Sequence, residues 1–131
     1  MSQVSADSLK SHIHKLVSFG TRHTMSSTTD AKKGIGAARN WIKAEFEKYS
    51  AASGGRLKVE FDTFIQPADG RRILKDATLK NVLAILPGTD PTDNRVFVVS
   101  GHYDSRASNA NDATSKAPGA VDDASGTAVT M

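Results

Sequence analysis

A histidine and a carboxylate stand two residues apart in Gly101-His102-Tyr103-Asp104-Ser105. A second pair of carboxylates follows in Pro118-Gly119-Ala120-Val121-Asp122-Asp123-Ala124-Ser125-Gly126. In an extended segment positions i and i+2 point to the same side, so His102 and Asp104 can face one cavity. Neutral imidazole is a good zinc ligand through one nitrogen, and a carboxylate holding the other N–H fixes its tautomer and orientation. Asp104 can fill that supporting position or bind a metal itself; the plainer alternative is a structural His–Asp hydrogen bond. Asp122 and Asp123 strengthen the metal reading. The approach through Pro118, Gly119 and Ala120 lacks bulk and lets backbone come close to a site. Adjacent aspartates before Ala124-Ser125-Gly126 can place one carboxylate on a metal and the other at a helix start, although a simple cap beside a solvated neighbour is the ordinary reading. One carboxylate can bridge two cations, and paired cations polarise a carbonyl and generate hydroxide. That is chemistry for amide hydrolysis.

These groups need elements to position them. Val96, Phe97, Val98 and Val99 form an apolar run that predicts a strand, Arg95–Ser100, buried on both faces and ending at the histidine. Upstream, Leu9, Ile13, Leu16 and Val17 lie on one face of a predicted helix that Ser5 or Asp7 can cap and that ends at Gly20. A polar loop, Thr21–Thr29, contains Arg22 and His23. Asp30 or Thr29 can cap a second helix with Ile35, Ala38, Ile42, Phe46 and Tyr49 at helical spacing, ending before Gly54-Gly55. Leu57, Val59 and Phe61 alternate with Lys58, Glu60 and Asp62, predicting a half-buried strand that runs to Ile65. Another strand is predicted over Leu79–Leu86. Ser105–Ala117 reads as an exposed loop, and a helix is predicted from Asp123 onward. No breaker follows Met131, so that helix is expected to be cut after about two turns, too short to stand alone.

Composition narrows the choices. At 131 residues and 38% hydrophobic, the chain can form one domain with a real core. It has no Cys, so any metal must be held by His and carboxylates. Residues 1–100 hold 15 Lys/Arg against 10 Asp/Glu, whereas residues 101–131 hold 2 against 4, so the acidic excess lies beside His102. The basic residues are scattered rather than clustered with aromatics, which argues against nucleic-acid binding. No window is long and apolar enough to span a membrane, and Met1–Ala6 does not read as a signal peptide.

Several short patterns are set aside. His12-Ile13-His14 diverge on a helix. Gly34-Ile35-Gly36 has no strand before it and no third glycine for a dinucleotide loop. Asn109, Asn111 and Asp112 lack the Gly and Glu of a calcium loop. No nucleophile elbow surrounds Ser100 or Ser105.

Together, Gly101–Ser105 and Ala117–Gly126 resemble the di-zinc aminopeptidases of metallopeptidase clan MH, which include bacterial leucyl aminopeptidase and vacuolar aminopeptidase Y. Leu16-Val17-Ser18-Phe19-Gly20-Thr21-Arg22 and Asn81-Val82-Leu83-Ala84-Ile85-Leu86-Pro87-Gly88 are similar to further family segments. The resemblance implies a three-layer α/β/α zinc-exopeptidase-like domain around a mixed, mainly parallel sheet, with strands near 57–65, 78–86 and 95–101. Residues 1–131 would be the N-terminal portion of that single domain, truncated after about half of it.

By the same resemblance, His102 binds one zinc, Asp122 bridges two, Asp104 orients His102, and the Asp122–Asp123 peptide bond is cis. The family's general-base Glu, its further carboxylate ligands and its second His have no match; Glu45, Glu47 and Glu60 fall elsewhere. The implied function is the N-terminal part of a zinc-dependent aminopeptidase that hydrolyses N-terminal peptide bonds with metal-activated water. The chain as given is expected to be inactive. A glutaminyl-cyclase-like transferase and a non-catalytic binding relative are the alternatives. The implied partners are peptides with a free N-terminus, without nucleic acid or membrane, in a secreted or periplasmic compartment. An uncovered sheet edge is expected to promote self-association.

Overall fold

The computed structural model describes residues 4–131; the first three residues of the Met1–Ala6 stretch lie outside them. Helix α1 spans Ala6–Ser18. Ser5, rather than Asp7, is its cap: the Ser5 hydroxyl accepts from the Ser8 amide at 3.2 Å, and Asp7 sits in the first turn. The helix stops at Phe19, and Gly20 turns the chain at φ +76°. Helix α2 spans Gly34–Ala52. Its expected cap at Thr29 or Asp30 is corrected by the structure. Asp30 Oδ1 accepts from the amides of Lys32 (2.7 Å) and Lys33 (3.1 Å), ordering the turn before the helix, which begins beyond Lys33. The delay has a steric cause. Gly34 lies at φ +83° against the Ser27 backbone, where a Cβ would stand 2.6 Å from the Ser27 carbonyl oxygen. The paired glycines therefore serve close packing.

Leu16, Phe19, Ala37, Ala38 and Ile42 form the core with Ala124, and Ile13, Trp41, Phe46, Val82, Tyr103 and Met131 pack against it. Leu16 is fully buried, which contributes about 1.5–3 kcal/mol for a side chain of its size. Core and site are thus contiguous, because Ala124 and Tyr103 belong to the two acidic motifs.

Strands β1 (Lys58–Gln66) and β2 (Ala77–Ile85) pair antiparallel from Lys58↔Ile85 to Gln66↔Ala77. Asp69 Oδ1 organises their connection by accepting from the amides of Arg71, Arg72 and Ile73 at 2.8, 2.9 and 2.8 Å. Val82 packs on the core while Phe64, Ile65, Leu83 and Ile85 stay exposed. Helices against this two-stranded sheet are compatible with a small α/β arrangement.

The third predicted strand is corrected. Arg95–Ser100 joins no ladder among the described residues, and Val96–Val99 are 74–83% exposed. An apolar run becomes a buried strand only when neighbours pair its edges and layers cover its faces. Neither is supplied here. The last predicted helix also starts late, as α3 (Gly126–Thr130), after a turn over Ala120–Ser125 in which Asp122 and Asp123 have non-helical backbone angles.

Candidate metal centre

His102 and Asp104 lie in an irregular segment without regular pairing, yet their side chains meet: His102 Nδ1 and Asp104 Oδ1 are 3.0 Å apart. On the other side of the ring, His102 Nε2 lies 3.0 Å from Asp122 Oδ1. The imidazole therefore stands between two carboxylates, one two residues away and one from the second motif. When Nδ1–H donates to Asp104, the Nε2 lone pair of the neutral ring faces Asp122. Partial burial pulls the His102 pKa down, but the charge and hydrogen bond of Asp104, with the charges of Asp123 and Asp122, outweigh it and raise the pKa above its ordinary value.

Two ligands on one tetrahedral zinc stand about 3.4 Å apart, given metal–ligand distances near 2.1 Å. The His102–Asp122 spacing is within a few tenths of an ångström of that, and imidazole with carboxylate is a zinc donor set. The pair fits as part of a zinc site. It supplies two of the three protein ligands a catalytic zinc takes, and among the described residues no group of three or more His, Cys, Asp or Glu is placed to hold one metal ion.

The two motifs are fastened to each other at several points. Asp123 Oδ2 accepts from the His102 amide at 3.1 Å, and its Oδ1 accepts from the Gly126 amide at 2.9 Å, so this carboxylate ties the histidine to the start of α3. The Thr127 hydroxyl donates to the His102 carbonyl at 3.1 Å. Gly101 is needed where α3 crosses: a Cβ there would lie 2.6 Å from the Thr127 nitrogen. The Asp122–Asp123 peptide bond is cis. A cavity of about 530 Å³, lined by Ile35, Arg39 and Phe64, opens beside His102, Asp104 and Asp123.

Arg22 escaped the reading of the sequence as a site residue. It is fully buried, and its guanidinium donates only to backbone carbonyls, among them those of Tyr103 and Gly119 in the two motifs. Burial pushes its pKa down and the Asp104 charge pulls it up. The available signal was faint: Arg22 is the lone Lys, Arg, Asp or Glu between Lys15 and Asp30. Its neighbour His23 accepts from the Met25 amide at Nδ1 (3.0 Å), so Nε2–H donates to the Ala110 carbonyl (2.8 Å) and pins the 105–117 loop. The patterns set aside stay apart from the centre. His12 packs edge-on against Trp41 while His14 is exposed, and Asp112 Oδ1 accepts from the amides of Thr114 and Ser115 in a local turn.

Residues 81–131 match peptidase family M28. The M28 match contains both acidic motifs and the second half of β2. The chain is also 48% identical to a "Probable zinc metalloprotease" of Pyrenophora tritici-repentis over 132 residues, covering 100% of this chain and 30% of that protein. A protein of the same name from Pyrenophora teres f. teres is 49% identical over 132 residues, with 100% and 28% covered. One from Pyricularia oryzae is 45% identical over 131 residues, with 100% and 26% covered. The chain thus spans 30% or less of the length of these relatives. No solved structure matches it.

Proposed function

We propose that this chain is the N-terminal portion of a zinc-dependent peptidase of family M28, and that the whole protein is an aminopeptidase acting on peptides with a free N-terminus. The observation that carries the reading is the His102 imidazole held 3.0 Å from Asp104 on one nitrogen and 3.0 Å from Asp122 on the other. The M28 match over residues 81–131 and the names of the fungal relatives support it. His102 and Asp122 would hold the metal, Asp122 shared between two ions, and Asp104 would fix the imidazole. Zinc, when bound, supplies Lewis acidity toward a carbonyl and a hydroxide nucleophile at neutral pH. The chain's own residues do the positioning: Asp104 keeps the Nδ1 proton, Asp123 sets the His102 backbone against α3, and the cavity beside them offers room for a substrate end.

The proposed parent fold is the three-layer α/β/α domain with a mixed sheet. The apolar Val96–Val99 run, exposed on both faces, supports further layers over it in the whole protein. Two convergent ligands among the described residues support a site completed by residues beyond this segment, so the 131 residues alone are proposed to be inactive. The proposed compartment is secreted or periplasmic, without a nucleic-acid or membrane partner.

The test is zinc content and aminoacyl-anilide hydrolysis by the full-length protein, with His102→Ala and Asp122→Ala beside it. Zinc-dependent release that both variants abolish is the expected result. Cyclisation of N-terminal Gln peptides without hydrolysis, or full activity in either variant, would overturn the aminopeptidase reading. Robust hydrolysis by the 131-residue chain would overturn the proposal that it is inactive alone.

A further inference from the structure

We infer that Arg22 is a positioning residue for the metal pair: its buried guanidinium holds the backbone of the His102 segment and the backbone leading to Asp122 at a fixed separation. The inference rests on the zinc-peptidase reading and adds to it a residue outside both motifs.

Arg22 Nε donates to the Tyr103 carbonyl at 2.6 Å, and Tyr103 is the residue between His102 and Asp104. Nη1 donates to the carbonyls of Pro118 (2.8 Å) and Leu16 (3.0 Å), and Nη2 to that of Gly119 (3.0 Å). One planar fork therefore reads three segments: the end of α1, the histidine segment and the approach to Asp122. The Gly119 carbonyl also accepts from the Ala124 amide at 3.0 Å, closing the turn that contains Asp122 and Asp123. Arg22 is thus one hydrogen bond from the residue next to His102 and one from a residue three before Asp122.

The Arg22 backbone reinforces its side chain. The Arg22 amide donates to Ser105 Oγ (3.0 Å), the Ser105 amide donates to the Arg22 carbonyl (3.2 Å), and the Ser105 hydroxyl donates to the Ala117 carbonyl (2.6 Å). Gly119, at φ +47°, leaves no room for a side chain: a Cβ would stand 2.6 Å from the Asp122 carbonyl oxygen, 2.7 Å from Ser105 Cβ and 3.0 Å from Arg22 Nη2. The glycine before the acidic pair answers first to the backbone of the turn and to Ser105, and the guanidinium adds a third close neighbour.

Arginine suits this position and lysine does not. Five N–H donors in a rigid plane reach carbonyls on different sides, whereas an ammonium directs three donors from one point. A guanidinium that served folding alone would have no reason to affect the metal once the chain is folded. One that sets the spacing of the two ligand segments must affect it.

The experiment uses full-length protein carrying Arg22→Lys, with Ile42→Ala as a core variant that removes none of the Arg22 hydrogen bonds, and reads three quantities. These are thermal melting, zinc affinity by chelator competition, and the visible spectrum of the cobalt-substituted protein. Folded Arg22→Lys is expected to bind zinc more weakly by on the order of 10- to 100-fold, as loss of supporting contacts around metal ligands does, with an altered cobalt spectrum. Ile42→Ala is expected to melt lower with both metal readouts unchanged.

Wild-type zinc affinity and cobalt spectrum in Arg22→Lys would overturn the inference, as would equal metal changes in Ile42→Ala at matched melting loss. Should Arg22→Lys not accumulate as folded protein, Ser105→Ala acts on the same junction. It is expected to weaken zinc binding in the same sense, and unchanged binding there would overturn the inference. Zinc binding in the wild type that does not depend on His102 would overturn the peptidase reading and this inference together. Dependence on His102 with silent Arg22 and Ser105 variants would overturn this inference alone.

Discussion

The stretches on either side of His102 have opposite chemistry and opposite fates. Before it, Val96–Val99 is the most apolar run in the chain, and those residues are 74–83% exposed. After it, Tyr103–Ser105 and Ala117–Ala124 are rich in small and polar residues, yet Ser105, Ala117 and Ala124 are 4%, 3% and 0% exposed. Hydrophobicity favours burial, but it cannot supply the partner that burial requires. The polar side is ordered because a network of directional bonds, centred on Arg22, specifies where each segment lies. A buried cation with four of its five N–H donors matched is costly to disturb; an exposed apolar run is cheap to disturb.

The largest expected effect comes from breaking the ordered side at its centre. Arg22→Met would remove four hydrogen bonds and leave the Tyr103 and Pro118 carbonyls without a donor, while Gly119 keeps the Ala124 amide and Leu16 the Phe19 amide; each unsatisfied buried acceptor costs about 1–3 kcal/mol. The full-length protein is expected to lose at least about 2 kcal/mol in denaturant unfolding. A loss no larger than that of an average surface substitution would remove the contrast drawn above.

Next in size is Asp104→Asn. The amide cannot hold the imidazole as a carboxylate does, so zinc affinity is expected to fall on the order of 10- to 100-fold with the fold intact. Isothermal titration against zinc checks this, and an unchanged affinity would make the 3.0 Å His102–Asp104 contact incidental.

On the other side, Val98→Ala in the 131-residue chain is expected to change its unfolding free energy by less than about 0.5 kcal/mol, as exposed positions do. Val98→Lys in that chain should reduce self-association measured by light scattering, since a charge blunts an uncovered edge. A wild-type 131-residue chain that is already a clean monomer would show that this run is less adhesive than its composition suggests.

The smallest effect concerns the loop between the motifs. Asp112 is held below the usual carboxylate range by hydrogen bonds from the Ser115 hydroxyl and amide and from Thr114. A depressed carboxyl contributes stability above its unfolded pKa, near 3.9, and that contribution is lost as pH falls through the lower folded value. Because Asp112 is solvent-exposed, a Ser115→Ala substitution should move its NMR titration back toward the ordinary value with little change in stability.

Much of the local structure was legible in the residues. The apolar spacing of Ile13 and Leu16 located α1, that of Ile35, Ala38 and Ile42 located α2, and the alternation at Val59 and Phe61 located β1. Each rests on one face being buried, which a periodic pattern records. Helix starts were less legible: Asp30 has the right chemistry for a cap, but close packing of Gly34 on Ser27 moved the boundary. Arg95–Ser100 has a strand's composition without a strand's partners, and composition reports only the first.

The sequence by itself located α1, α2 and the two strands, and it placed His102 and Asp104 two residues apart, where an extended backbone brings their side chains together. The match of residues 81–131 to peptidase family M28 is likewise a property of the sequence. Only the tertiary structure brought Asp122 to 3.0 Å from His102 Nε2 and surrounded Arg22 with the carbonyls of Leu16, Tyr103, Pro118 and Gly119. The physical reason is that every residue carries a backbone carbonyl. A guanidinium that binds carbonyls therefore leaves no mark on the identity of its partners, and the fold alone decides which ones it meets.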